Sequence, residues 1–144
     1  MKILIVNTSD IEGGAARAAY RLHQALLQCG VESQMLVQSK SSDDFTVEGP
    51  SSYIQKALAK LRPTLDSLPV RRHINRTKTL FSPSWVPLSS VVDRINEINP
   101  DIVHLHWIAG GMMRIEDLAK IKAPIVWSLH DMYAFTGGCH YDEA

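Results

Sequence analysis

MKILIVNTSDIEGGAARAAYRLHQALLQCGVESQMLVQ, residues 1–38, is the stretch whose reading decides the fold. Ile3-Leu4-Ile5-Val6 is a short unbroken run of branched apolar residues, the pattern of a strand buried on both faces. It passes into polar Asn7-Thr8-Ser9-Asp10 and then into Glu12-Gly13-Gly14. From Ala15 the period turns helical, with Ala15, Ala18, Ala19, Leu22, Leu26 and Cys29 on one stripe, and Gly30 stands where a C′ glycine belongs. A second strand, Ser33 to Gln38 around Met35-Leu36-Val37, follows at once. Strand, helix and strand in this order make a βαβ opening, which demands parallel pairing.

Working outward, the second half of the chain repeats the alternation. Asp101 to Trp107 (DIVHLHW) reads as a third strand, broken by Gly110-Gly111. A helix carrying Ile115, Leu118, Ala119 and Ile121 leads to Pro124, where a final buried strand runs through Ile125-Val126-Trp127 to His130. Ser89 or Ser90 caps an intervening helix with Val91, Val92, Ile95 and Ile98 inward, ended by Asn99-Pro100. Before it, Ser39 to Pro50 reads as a loop. A helix capped by Ser51 or Ser52 turns Tyr53, Ile54, Ala57, Leu58 and Leu61 inward and stops before Pro63. Pro63 to Pro87, with four of the seven prolines, reads as short helical pieces and loops. The fold class is therefore α/β, a doubly wound, mostly parallel sheet, whose ligands bind outside the carboxyl ends of the strands.

Composition bounds the function. The 15 basic and 15 acidic side chains cancel, so overall charge gives no reason to expect nucleic acid as a partner. Seven of the 15 Lys and Arg lie between Lys56 and Lys78, against one acid, Asp66. Such a stretch is usually a solvated face. Next to Tyr53, Ile54, Leu58, Leu61 and Leu65 it is also a candidate for peripheral contact with an anionic membrane. Cys29 and Cys139 make no disulfide framework. Four consecutive apolar residues before Asn7 are too few for a secretory leader, and no run approaches the ~20 needed to span a bilayer, so the expected location is cytoplasmic.

Three strand tips change from apolar to polar and meet at one edge of a parallel sheet: Asn7-Thr8-Ser9, His104 with His106, and His130-Asp131. Each feeds a Gly-Gly pair, at 13–14, 110–111 and 137–138. Bare glycines admit a ligand to the backbone, and amides at a helix start favour an anion, so the edge suits a phosphorylated or polyhydroxylated ligand. Gly13-Gly14 does not match GxGxxG and no acid ends the second strand, which argues against a dinucleotide. Arg17 is solvated unless that loop holds an anion. His104 and His106 share a strand face and line a pocket or pack more readily than they bind zinc, which needs a third ligand. Trp107, on the other face, reads as core. His130 suits hydrogen bonding or proton transfer, against the plainer role of a bonded core histidine. Cys139-His140 beside Asp142 carries weaker suggestions of a nucleophile or a metal.

These residues resemble a known family. KILIVN with its Gly-Gly-Ala loop and Ala-rich helix looks like the start of the GT-B glycosyltransferases of family 4. DIVHLHW and SLHDMYAFTGGCHY look like a bacterial branch of it that builds cell-surface polysaccharides. The resemblance implies a retaining transferase that uses a nucleotide-sugar donor, without a resident cofactor and usually without a metal, and a saccharide or lipid-linked acceptor. Residues 1–144 would be the acceptor-side Rossmann-like domain, Gly13 and Gly14 placing amides near the donor diphosphate or the acceptor. By position His130 matches the histidine that contacts the donor sugar, with Asp131 orienting it or the acceptor, His106 as a pocket wall and Arg17 nearby. Family members are about two to three times longer and carry a donor-nucleotide domain with a glutamate pair and a basic pair. The chain accordingly looks like the N-terminal half, inefficient by itself. The alternatives are a stand-alone, non-catalytic sugar- or phosphate-binding domain, or one subunit of a split transferase.

Overall fold

A computed structural model describes residues 1–74 and 79–141. Arg76, Lys78 and Asp142, which enter the sequence reading, lie outside the described residues. In chain order the elements are β1 (Lys2–Ser9), α1 (Gly14–Gln28), β2 (Glu32–Ser39), β3 (Val47–Glu48), α2 (Tyr53–Arg71), α3 (Val91–Ile98), β4 (Ile102–Leu105), a 3-10 turn (Ile115–Lys120), β5 (Ile125–Trp127) and α4 (Tyr133–Thr136). The sheet is wholly parallel, in the order β3-β2-β1-β4-β5. The chain winds outward from β1 to β3 and returns to the opposite side of β1 as β4. The topological switch therefore falls between β1 and β4, where such sheets open a crevice for ligands.

The core forms on both faces, as a continuous apolar central strand requires. On one face Ile3, Ile5, Met35 and Val37 pack under α1; on the other Leu4, Val6, Leu36, Val103 and Leu105 pack under α3, joined by Leu118, Ile121 and Trp127. Helix α1 ends as expected. Gly30 takes φ +75°, its amide bonds the Leu27 carbonyl, and the Val31 amide bonds that of Leu26. Its inner face is rotated from the expected stripe, however: Ala16, Ala19 and His23 are buried, while Ala18 and Cys29 are exposed. His23 tolerates full burial because its ring nitrogens meet Ser33 Oγ at 2.8 Å and Thr46 Oγ1 at 2.7 Å.

Three other expectations fail for physical reasons. The expected loop from Ser39 to Pro50 contains the short strand β3, which takes the outer edge of β2. The helix expected after Gly110-Gly111 is a short 3-10 segment of six residues with Ile115 and Ala119 exposed; of the expected apolar residues only Leu118 and Ile121 reach the core. The last strand is not buried, since β5 is outermost in the sheet and leaves Ile125 40% and Val126 48% exposed.

Helix α2 departs furthest. It begins as read, with Ser52 and Gln55 forming a reciprocal capping box. It then passes through Pro63 and Pro69, which withhold the amides that would bond the carbonyls of Ala59 and Leu65. Tyr53, Ile54, Leu58 and Leu61, expected inside, lie outside, and the inner face is polar. Arg62 Nε donates to the Gly111 carbonyl at 2.6 Å, and its terminal nitrogens reach the carbonyls of Pro87 (3.1 Å), Val86 (3.3 Å) and Leu88 (3.4 Å). Buried Asp66 accepts from the Trp85 amide, and the Trp85 indole donates to the Asp66 carbonyl, both at 3.2 Å. These long-range anchors hold α2 against the sheet and let it survive its prolines.

Candidate functional site at the carboxyl edge

At the switch point the crevice is laced by polar groups of β1. Asn7 Oδ1 accepts from the Trp107 amide at 2.8 Å, and the Thr8 amide and hydroxyl both donate to the Trp107 carbonyl at 2.8 Å. Asp10, fully buried, collects the amides of Ile11, Ser41 and Ser42, tying the β1 loop to the loop after β2. Those bonds outweigh the burial that raises its carboxyl, and hold it below the usual range.

Beyond the backbone ladder, β4 and β5 remain joined by side chains. His104 Nε2 meets Ser128 Oγ at 2.8 Å, and His106 Nδ1 meets His130 Nε2 at 2.8 Å on the same face. On the opposite face Trp107 Nε1 donates to Asp131 Oδ2 at 2.9 Å. The three pairs share an offset of 24, two residues beyond the ladder register in which His104 stands beside Val126, so each β4 side chain reaches forward along its neighbour. His106 is buried and its Nε2 has no partner among the described residues. Burial first, then the neighbouring imidazoles of His104 and His130, push it down to about 4, so it is neutral at pH 7. His104 is lowered for the same two reasons. His130 itself is exposed at the edge.

Asp131 does not reach His130. Its Oδ2 pairs with His140 Nδ1, and its Oδ1 accepts from the Tyr133 amide at 3.0 Å. His140, 1% exposed, meets Ser82 Oγ through Nε2 at 2.9 Å. A carboxylate can only accept, so Nδ1 carries the proton that His140 donates to Asp131. Tyr133 stacks on the imidazole at 5.2 Å and bonds Ser84 Oγ. Burial raises the Asp131 carboxyl, but bonds from His140, Tyr133 and Trp107 outweigh it and bring it below its ordinary value. Asp–His–Ser in sequence resembles a hydrolytic triad, yet Ser82 is only 4% exposed and cannot meet a substrate. The chain of bonds is a lock. It fastens the loop behind His130 to the segment before α3, where the Ser82 amide also bonds the Gly138 carbonyl and the His140 amide that of Leu80.

The glycine pairs separate into two kinds. A Cβ on Gly111 would stand 2.8 Å from the Arg62 carbonyl, and one on Gly138 would stand 2.7 Å from the Phe81 ring. Those glycines admit other parts of the protein, not a ligand. Gly13 and Gly14 are exposed, have nothing within 4 Å of a Cβ, and start α1, Gly13 at φ +94°. With Gly137, exposed and equally unobstructed at φ +69°, they fit the sequence reading of an open backbone. Arg17 is exposed on α1, with no side-chain bond among the described residues.

The structure therefore brings His106 and His130 together, sends Asp131 to His140, and turns Trp107 from core into a wall of this lock. Cys139 is half-buried, its Sγ 3.0 Å from the Tyr141 carbonyl. Among the described residues no three His, Cys, Asp or Glu side chains converge to hold a metal. Ser82, Ser84 and Tyr133 are the site residues that the sequence reading missed. Only the tightly polar HDMYAFTGGCHY run hinted that its own loop needed distant partners.

Fold and edge together define a Rossmann-like α/β domain whose polar strand tips gather at the carboxyl ends of β1, β4 and β5. A family model described as Glycosyltransferase Family 4 matches residues 12–143, and the chain belongs to that family. No curated protein and no solved structure was found to match it. No helix among the described residues is long and apolar enough to cross a membrane.

Proposed function

We propose that this domain forms the acceptor side of a retaining glycosyltransferase that moves a sugar from a nucleotide-sugar donor to a polysaccharide or lipid-linked acceptor. The carrying observation is His130: an exposed imidazole at a strand tip, bonded to a buried neutral histidine and backed by a locked loop. A side chain held this way is pre-organised to hydrogen-bond a sugar with little entropy left to lose. In front-face transfer the leaving diphosphate takes the acceptor proton. His130 then stabilises charge at the reacting sugar and need not act as the base. The open amides of Gly13 and Gly14 would face the diphosphate or acceptor. The nucleotide is assigned to a second domain, on this polypeptide or a partner chain, and no resident cofactor is invoked.

The test is His130→Ala in the transferase that contains both domains. Loss of one pre-organised donor predicts a kcat lowered roughly 10²- to 10³-fold with the fold retained and the melting temperature modestly lowered, since buried His106 loses its Nδ1 partner. Turnover within a few-fold of the parent would sink the assigned role.

Membrane contact belongs to the same reading. Tyr53, Ile54, Leu58, Leu61, Leu65 and Leu68 form an exposed apolar arc of roughly 140° on α2, flanked by exposed Lys56 and Lys60. An anionic bilayer satisfies both faces. Co-sedimentation with vesicles containing anionic lipid should fall as salt rises. Absence of binding at low salt would dismiss it.

A further inference from the structure

A groove of about 510 Å³ lies between α2, the end of β2 and the start of α3, and shares no lining residue with the pocket at His106 and His130. That volume is within the range of roughly 300–1,000 Å³ usual for small-molecule sites. Its apolar surface comes from Leu36, Leu58, Ala59, Leu88, Val91 and Met112. Polar side chains surround it, and apart from Asp93 and Ser90 at the start of α3 most of them are already engaged. Arg94 pairs with Glu48 through two bonds of 2.6 and 2.8 Å and with Glu97 at 3.1 Å. Arg62 is spent on backbone carbonyls, Gln55 on the cap of α2, and Ser89 on the Met112 carbonyl at 2.6 Å. A saccharide would find few free partners there. A hydrocarbon would find an apolar floor.

Two features mark the mouth. Leu58 belongs both to the groove and to the outward arc of α2, so the groove opens onto the face assigned to the bilayer. Leu88 sits at φ +59°, strained for a residue with a branched side chain, and is 95% exposed. Such strain without any gain in burial is the kind that persists at ligand sites. The opposite wall reaches Gln38, whose amide donates to the Gly110 carbonyl at 3.3 Å, in the loop that follows β4.

We infer that this groove takes one hydrocarbon chain of the lipid-linked acceptor, entering from the membrane between Leu58 and Leu88. The inference rests on the lipid-acceptor reading above, and places the lipid in a site separate from the histidine edge. Decyl phosphate, below its micellar concentration, should bind the domain saturably in calorimetry with a negative heat-capacity change, and inorganic phosphate should not. Ala59→Phe fills the groove and should weaken binding at least tenfold. Leu88→Gly relieves the strain, so it should raise the melting temperature while weakening binding several-fold, which separates the site from mere misfolding. Leu61→Asp with Leu65→Asp should abolish vesicle binding and leave decyl phosphate binding intact. Decyl phosphate binding no better than phosphate, or binding unchanged in both Ala59→Phe and Leu88→Gly, overturns the groove. Because His130→Ala should not alter chain binding, failure of the transfer reading would show in turnover alone and leave this result standing.

Discussion

Replacing Arg62 by alanine tests how α2 is held, because the structure reverses what its leucines suggest. The guanidinium donates at 2.6 Å to the Gly111 carbonyl and at 3.1 Å to that of Pro87, with two longer contacts beyond 3.2 Å. Bonds from a charged donor contribute about 1.5–3 kcal/mol each, and the half-exposed setting discounts them because water replaces some. Two good bonds then give a loss of ~3 kcal/mol. The loss also removes the positive neighbour of buried Asp66, whose carboxyl burial already raises above its ordinary value. Leu61, the next residue along, is 54% exposed, so Leu61→Ala should cost less than ~0.5 kcal/mol. Arg62→Lys keeps the charge but not the planar fork, and should recover less than half of the loss. Urea unfolding at constant m-value reads all three variants on one scale. Equal costs for Arg62→Ala and Leu61→Ala, or a larger cost at Leu61, would refute the polar docking of α2.

Acid should destabilise the domain partly through His106. Its folded value of about 4 lies below the unfolded ~6.5, so the unfolded chain binds the proton first, and stability falls as pH drops from 6.5 towards 4. The full effect is roughly 3 kcal/mol, so His106→Gln should flatten the stability profile in that window; an unchanged slope would contradict the burial. His23, lowered by burial against a weaker pull from Asp44, adds to the same slope in the same direction. Among the glycines, Gly138→Ala meets both φ +138° and the Phe81 ring and should cost about 1–3 kcal/mol. Gly14→Ala, with open space and no positive φ, should instead stabilise by about 0.5–1 kcal/mol. Thermal melts that rank these two in the other order would count against the two kinds of glycine.

Period and punctuation in the sequence determined the βαβ opening, the parallel sheet, the capped start of α2 and the inner face of α3, because each follows from neighbours within a few residues. The HDMYAFTGGCHY motif pointed to the candidate edge and, by resemblance, to the family that residues 12–143 match. What only the tertiary structure decided is which polar groups go inside. Periodicity shows that α2 is two-faced but not which face is inward, and counting apolar residues chose wrongly. Arg62 is anchored by Gly111, 49 positions away, and His140 by Ser82, 58 positions away. His23 could be buried only because Ser33 and Thr46 supply hydroxyls, and Asp131 pairs with His140, nine positions on, instead of with its neighbour His130. A polar side chain is outward by default in a one-dimensional reading, since burying it unpaired is costly; only folding can bring the distant partner that removes the cost.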